Sequence, residues 1–246
     1  MALDPNNICL QCKKREKRED HQFCSSQCTR DAAARAPKLL KIPKTHVMFK
    51  KDPFTTNGQK THRQQYPPSI SSLGRQKLRT SFDDYRDTVE LMTGETECKR
   101  FRSEKRACNL GEPGSRELCQ RRDCHLCRAI RTGFKSSLEY KRKIRGPGGI
   151  RLGHGIYTTP SSSKAYQYAK NIGPAVGSDM RAVLYTRIVL GNPFYTKRED
   201  HTLYEPPFGY QSVIGATGKN SDFPDEECVV YHEDAIQPAY LIMLKN

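Results

Sequence analysis

Eight of the ten cysteines in this 246-residue chain fall into two tight sets. "CLQCKKREKREDHQFCSSQC" places Cys9, Cys12, Cys24 and Cys28 as C-x2-C, eleven further residues and C-x3-C. "CNLGEPGSRELCQRRDCHLC" places Cys108, Cys119, Cys124 and Cys127 with gaps of ten and four residues before a closing C-x2-C. The opening "MALDPNN" has neither the basic nor the apolar part of a secretory leader, so a reducing compartment is expected. Thiols stay free there, and such patterns argue for metal rather than disulfides. Each set can wrap one tetrahedral Zn²⁺, with His21 a substitute ligand in the first and His125 expected to point away from the metal in the second. Binding on the order of 10–16 kcal/mol would fold the first segment, which has almost no core of its own. Cys98 and Cys228 are left over and read as structural thiols, since nothing obvious activates them.

A content of 35% hydrophobic and 28% charged residues is globular but lean. No apolar run approaches the roughly 18 residues of a spanning helix, so no membrane partner is expected and the location should be nuclear or cytoplasmic. The net charge of +15 is unevenly spread: residues 1–150 carry 33 Lys and Arg against 17 Asp and Glu, residues 151–246 carry 9 against 10. A basic first part beside a neutral second part fits a region that meets nucleic acid or another polyanion, attached to a module with a different task. The competing reading is solvated surface with a nuclear-targeting run, "KKREKR" at 13–18.

Three regions follow. Residues 1–36 form a zinc knuckle, with Ser25 or Ser26 capping a helix through "TRDAAARA" that Pro37 stops. Residues 37–79 are a basic, poorly structured linker with "KLLKIP" and "HVMF" as short sticky pieces. Residues 80–246 form a larger domain with a cysteine-rich insertion at 108–127. A Ser cap and helical apolar spacing predict a helix over 81–92. A second short helix is expected from Asp123 as cap to Gly133 as stop, then a mobile loop over "SSLEYKRKIRGPGGIR". Strands are expected at 181–191, 227–232 and 238–244, an α+β pattern.

"GHGIYTTPSSSKAYQY", residues 153–168, reads as a strand that passes through a tight backbone position into a capped helix. Followed by a β run, "PPFGYQSVIG" and "DEECVVYHEDAIQPAYLIML", it resembles the catalytic domain of the poly(ADP-ribose) polymerase superfamily, the diphtheria-toxin-like ADP-ribosyltransferases, over roughly residues 80–246. It is most similar to the fungal branch with an amino-terminal cysteine knuckle. The resemblance implies a split antiparallel β core with short helices, and NAD as substrate, from which ADP-ribose passes to a protein or nucleic-acid acceptor in single rather than chain transfer. It implies that Tyr157 and Tyr168 sandwich the nicotinamide ring, whose cationic face suits aromatic stacking, and that Gly153 and Gly155 permit close approach. Glu227 becomes the catalytic glutamate, bonding the nicotinamide ribose and stabilising an oxocarbenium-like centre; Glu226 could take that place. Lys164, Tyr210 and Ser212 are further donor-site candidates.

The resemblance breaks at its first motif. Arg102, Ser103 and Glu104 stand where His-Gly-Thr or His-Gly-Ser is expected, and Ala165 replaces a carboxamide-binding serine. Arg102 accepts no hydrogen bond and cannot copy an imidazole, whereas Ser103 can still offer its backbone. Three outcomes are open: an active mono-ADP-ribosyltransferase with a poorer anchor, an inactive module that binds ADP-ribose, nucleic acid or protein, or an Arg102 that meets a ligand phosphate.

Overall fold

A computed structural model describes residues 4, 7–19, 21–34, 39–40, 71–72, 76–94, 96–136 and 150–245. Within them the chain is mixed α+β, with two sheets and four α-helices. The helices are α1 (Ser26–Ala34), α2 (Gln76–Thr93), α3 (His125–Thr132) and α4 (Ser162–Tyr168). The strands are β1 (Leu39–Leu40), β2 (Ser71–Ser72), β3 (Glu97–Arg102), β4 (Ile156–Thr158), β5 (Met180–Val189), β6 (Pro193–Thr196), β7 (Ser212–Gly215), β8 (Glu227–Val230) and β9 (Ile236–Lys245).

The five-stranded sheet runs β1-β2-β9-β5-β3 and the four-stranded sheet β4-β8-β7-β6. Every pair is antiparallel except β6 with β7, which is parallel. Strands β5 and β9 are the central pair because "RAVLYTRIV" and "AYLIML" bury nearly every apolar side chain: Val183, Leu184, Ile188, Leu241 and Met243 are all sealed from water. Their register shifts between Tyr185 and Thr186, where Pro238 faces Thr186. Proline has no N–H for the ladder, so a bulge is the expected accommodation.

The two sheets share a core, in which Ile156, Ile214 and Val230 pack with Leu184, Ile188 and Leu241, and a reciprocal backbone contact joins their ends. Phe101 donates to the Thr159 carbonyl at 2.8 Å and Thr159 donates back at 3.0 Å. This joins the end of β3 to the residue after β4, so chemistry at either terminus meets at the seam. Strands β1 and β2 come from the stretch expected as linker and extend the large sheet at β9. Of that stretch, "HVMF" lies outside the described residues, as do Pro37 and residues 137–149 of the expected mobile loop.

Two helix boundaries differ from expectation. Helix α2 begins at Gln76, not near Ser81, so Ser81 lies inside it and caps nothing. "QKLRT" contains good helix formers and no breaker, so the helix propagates through it, while Phe82 and Val89 bury against Val189. Helix α3 starts at His125 with Cys124 at its N-cap and no side-chain cap bond; the Asp123 carboxylate is held by Arg121 at 2.8 and 3.0 Å. Gly133 ends α3 at φ 78°, and the Ser25 and Ser161 hydroxyls accept from the N–H groups of Cys28 and Lys164. No helix among the described residues is long and apolar enough to cross a membrane.

Candidate functional site

Tyr157 is pinned at three points. Its hydroxyl accepts from the Leu152 N–H at 2.8 Å and donates to the Gly153 carbonyl at 2.7 Å. Its own carbonyl accepts from Arg102 Nη1 at 2.6 Å. The loop it grips depends on two glycines. Gly153 has φ +66°, where L side chains are strained, and a Cβ there would overlap the Leu203 backbone. A Cβ at Gly155 would overlap Val229. Tyr231 closes the same loop by donating to the Leu152 carbonyl at 2.7 Å, and burial holds its phenol in the protonated form, well above the usual tyrosine range.

Glu227 reaches the same face as Tyr157 by strand arithmetic. Tyr157 pairs directly with Val229 across β4 and β8, and Glu227 is two residues before Val229, so all three side chains leave one side of the sheet. Burial agrees: Ile156, Cys228 and Val230 point the other way, into the main core. The diagonal relation sets Tyr157 and Glu227 about 7–8 Å apart at the backbone. From the next element in the chain, Lys164 of α4 donates to Glu227 Oε1 at 2.8 Å and to the Asp225 carbonyl at 3.1 Å. Tyr168 lies four residues beyond Lys164, on the same helical face, and presents most of its ring to solvent. Ala165 and Ala169 cover the core face against Phe101 and Val183. Lys164 thus contacts Glu227, which shares a sheet face with Tyr157, while Glu226 is turned toward Arg100, 3.8 Å away.

The first-motif position is wired differently from the resemblance. Arg102 binds Glu104 Oε1 through Nε and Nη2 at 2.8 and 2.6 Å, and its guanidinium lies over the Phe134 ring, 5.1 Å from the centroid. A neutralised, triply engaged arginine is a poor phosphate reader, which removes the support for a phosphate contact. Ser103 donates its hydroxyl to the Ala165 carbonyl at 2.6 Å. That carbonyl lacks its helical partner because Ala169 N–H bonds Tyr166 instead, so Ser103 caps the end of α4. Tyr210 packs edge-on to Phe194, and Ser212 is fully buried with its hydroxyl donating to the Leu190 carbonyl at 2.7 Å.

No family model matches the chain. A stretch of 94 residues, 37% of the chain, is 35% identical to protein mono-ADP-ribosyltransferase PARP4 of Mus musculus and 34% identical to its Homo sapiens counterpart. A stretch of 88 residues, 36% of the chain, is 33% identical to protein mono-ADP-ribosyltransferase PARP3 of Gallus gallus. These distant matches support a likeness to ADP-ribosyltransferases at the superfamily level. They span only 5% of the PARP4 proteins and 16% of the PARP3 protein.

Both cysteine sets close into clusters whose sulfurs all lie within 4.8 Å of one another. Zn–S bonds of about 2.3 Å in a tetrahedron require sulfurs about 3.8 Å apart. The Cys12–Cys24, Cys24–Cys28, Cys108–Cys124 and Cys108–Cys127 separations are 3.7, 3.6, 3.7 and 3.5 Å. Disulfide sulfurs would sit near 2.05 Å, so the donor sets fit a zinc ion each. Each cluster consists of thiols alone, without His21 or His125. Cys228 is fully buried with its thiol pushed up to about 12 by burial, and burial also raises Cys98, as expected of structural thiols.

Sequence reasoning missed Glu104 as the counter-charge, Phe134 as the seat of Arg102, and Leu152 and Tyr231 as grips on Tyr157. The i, i+2 spacing of Arg102 and Glu104 at a strand end was the one available signal.

Proposed function

We propose that residues 80–246 are an NAD-dependent mono-ADP-ribosyltransferase of the poly(ADP-ribose) polymerase superfamily. What carries the reading is the shared face of Tyr157 and Glu227, with Lys164 of the intervening helix on the carboxylate. Nicotinamide would stack between Tyr157, whose ring is fixed at its hydroxyl, and Tyr168. Glu227 would face the adjoining ribose. As the bond between C1′ and the pyridinium nitrogen breaks, nicotinamide leaves with the electron pair and positive charge develops on the sugar. A carboxylate already placed there stabilises that charge without reorganisation. The acceptor nucleophile attacks C1′ and gives up its proton, completing the transfer. Lys164 orients Glu227, and the two zinc clusters brace the knuckle and the insertion.

The Arg102 arrangement favours a second reading, an inactive module of the same fold that binds ADP-ribose, nucleic acid or protein. Incubation with labelled NAD separates the two. An enzyme labels an acceptor or itself, and Glu227→Ala abolishes the label. A module that binds NAD or ADP-ribose in calorimetry and transfers nothing is the inactive form. In either case the exposed cations of the first knuckle, Lys14, Arg15 and Arg18, form the surface that a nucleic-acid partner would meet.

A further inference from the structure

We infer that Arg102 is a positioning residue for Tyr157, and that the cleft is built around this arginine. The inference rests on the reading of Tyr157 as the stacking residue. Arg102 ends β3 and Tyr157 is central in β4, so the Nη1 bond to the Tyr157 carbonyl is a side-chain crosslink across the seam between the sheets. It sits beside the reciprocal Phe101–Thr159 backbone pair and adds a side-chain tie two residues earlier in the chain, at Tyr157.

Each remaining face of the guanidinium is used. Glu104 binds Nε and Nη2 and removes the net charge, and the two side chains are only 14% and 13% exposed. Phe134 lies beneath, itself nearly sealed from water. Phe134 follows Gly133, whose φ of 78° turns the chain off the end of α3. Helix α3 carries Cys127 and has Cys124 at its N-cap; Leu126 N–H bonds the Lys105 carbonyl at 3.0 Å, and Ala107 N–H points at Cys124 Sγ at 3.4 Å. The second cysteine cluster therefore grips both the segment that follows Arg102 and the helix that delivers Phe134. An imidazole at this position is too short to bridge Glu104 and the Tyr157 carbonyl together, and it would leave a nearly buried carboxylate without its cation.

The test compares wild type with Arg102→Ala, Arg102→His, Arg102→Lys and the paired Arg102→Gln with Glu104→Gln. Three quantities are read: amide hydrogen exchange of residues 152–159 without ligand, NAD affinity by calorimetry, and zinc content. Arg102→Ala is expected to speed exchange of 152–159 at least about tenfold and to weaken NAD about 10- to 100-fold, with zinc content and α2 exchange unchanged. Arg102→Lys recovers part of both, the neutral pair recovers more, and Arg102→His recovers neither. Unchanged exchange of 152–159 in Arg102→Ala overturns the inference, as does an Arg102→His protein that binds NAD more tightly than wild type. If wild type binds no NAD while exchange responds as described, the clamp stands and the stacking role of Tyr157 falls.

Discussion

Lys164 Nζ lies 2.8 Å from Glu227 Oε1, with the two side chains only 9% and 12% exposed. This pair ties α4 to the first residue of β8 and holds the carboxylate on the face that Tyr157 shares. Removing one member of a buried pair is costly because the other charge stays desolvated. Lys164→Met is therefore expected to lower stability in urea by about 2–4 kcal/mol, and Lys164→Met with Glu227→Leu to recover most of it. Glu227→Gln keeps an acceptor for Lys164 and should fold normally, while transfer from NAD falls about 10²- to 10³-fold. A Glu227→Gln protein with undiminished transfer would place the catalytic acid elsewhere.

Metal removal should act unequally on the two clusters. Wild type is expected to hold two zinc ions by mass spectrometry, and Cys12→Ser and Cys127→Ser one each. The first cluster packs with Leu10, Phe23 and Ala32 in a small core that meets the large sheet at Tyr240 of β9, so Cys12→Ser should lower the melting of the main domain much less than Cys127→Ser does. Cys127 belongs to the main core with Leu126, Ile130 and Phe134. Structural zinc contributes on the order of 10–16 kcal/mol, as much as a domain's whole stability of about 5–15. Cys127→Ser should then lose cooperative melting, and equal effects of the two variants would refute this division.

Much of the site was legible because its residues are local in sequence. The Gly-x-Gly-Ile-Tyr strand, the Ser161 cap and the helix to Tyr168 are set by neighbours within a few positions. The cysteine clusters were legible for a different reason, since few roles other than metal binding suit four close thiols. What stayed hidden depends on register and tertiary contact. Glu227 and Tyr157 share a face only because Tyr157 pairs with Val229 and not with Cys228, a one-residue choice that reverses every side chain. Asp123 looked like a cap, but Arg121 is two residues away and takes its carboxylate. Arg102 looked like a loss, and its partners Tyr157 and Phe134 lie 55 and 32 positions further along the chain.

The loop after β6 should be the acid-sensitive part of the cleft. The Asp222 carboxylate accepts from the Glu199 N–H and from Arg198, each at 3.0 Å, and the Glu199 bond first, with Arg198 and Arg151 after it, holds its pKa below the ordinary 3.8. A depressed folded pKa means that the stabilisation is present above the unfolded value and is lost as pH falls through the folded one. The protection of residues 197–204, taken as exchange relative to the free-chain rate at each pH, is therefore expected to stay high at pH 5–7 and to fall only below about 3.8. The Leu203 carbonyl accepts from the His154 N–H, so the Tyr157 loop should loosen in the same range. Asp222→Asn should show at pH 6 the low protection that wild type shows only in acid, and a wild-type transition in protection centred near pH 6 would contradict the assignment.

The knuckle surface makes a prediction of its own. Between Cys12 and Cys24 the chain holds Lys13, Lys14, Arg15, Lys17 and Arg18 on a loop fixed by the first cluster. A fixed loop presents its cations at little ordering cost, so a duplex would be held mainly by phosphate contacts. Each such contact releases counterions and adds about 0.9 to the slope of log affinity against log salt. A labelled duplex is expected to bind wild type steeply with salt, and Lys14→Ala with Arg15→Ala to reduce that slope by about 1.8. The reduction should be the same for unrelated sequences, because phosphates carry no sequence information. An affinity that does not change with salt, or a slope untouched by the double substitution, would leave these cations as solvated surface and return the acceptor question to the cleft beside Tyr157.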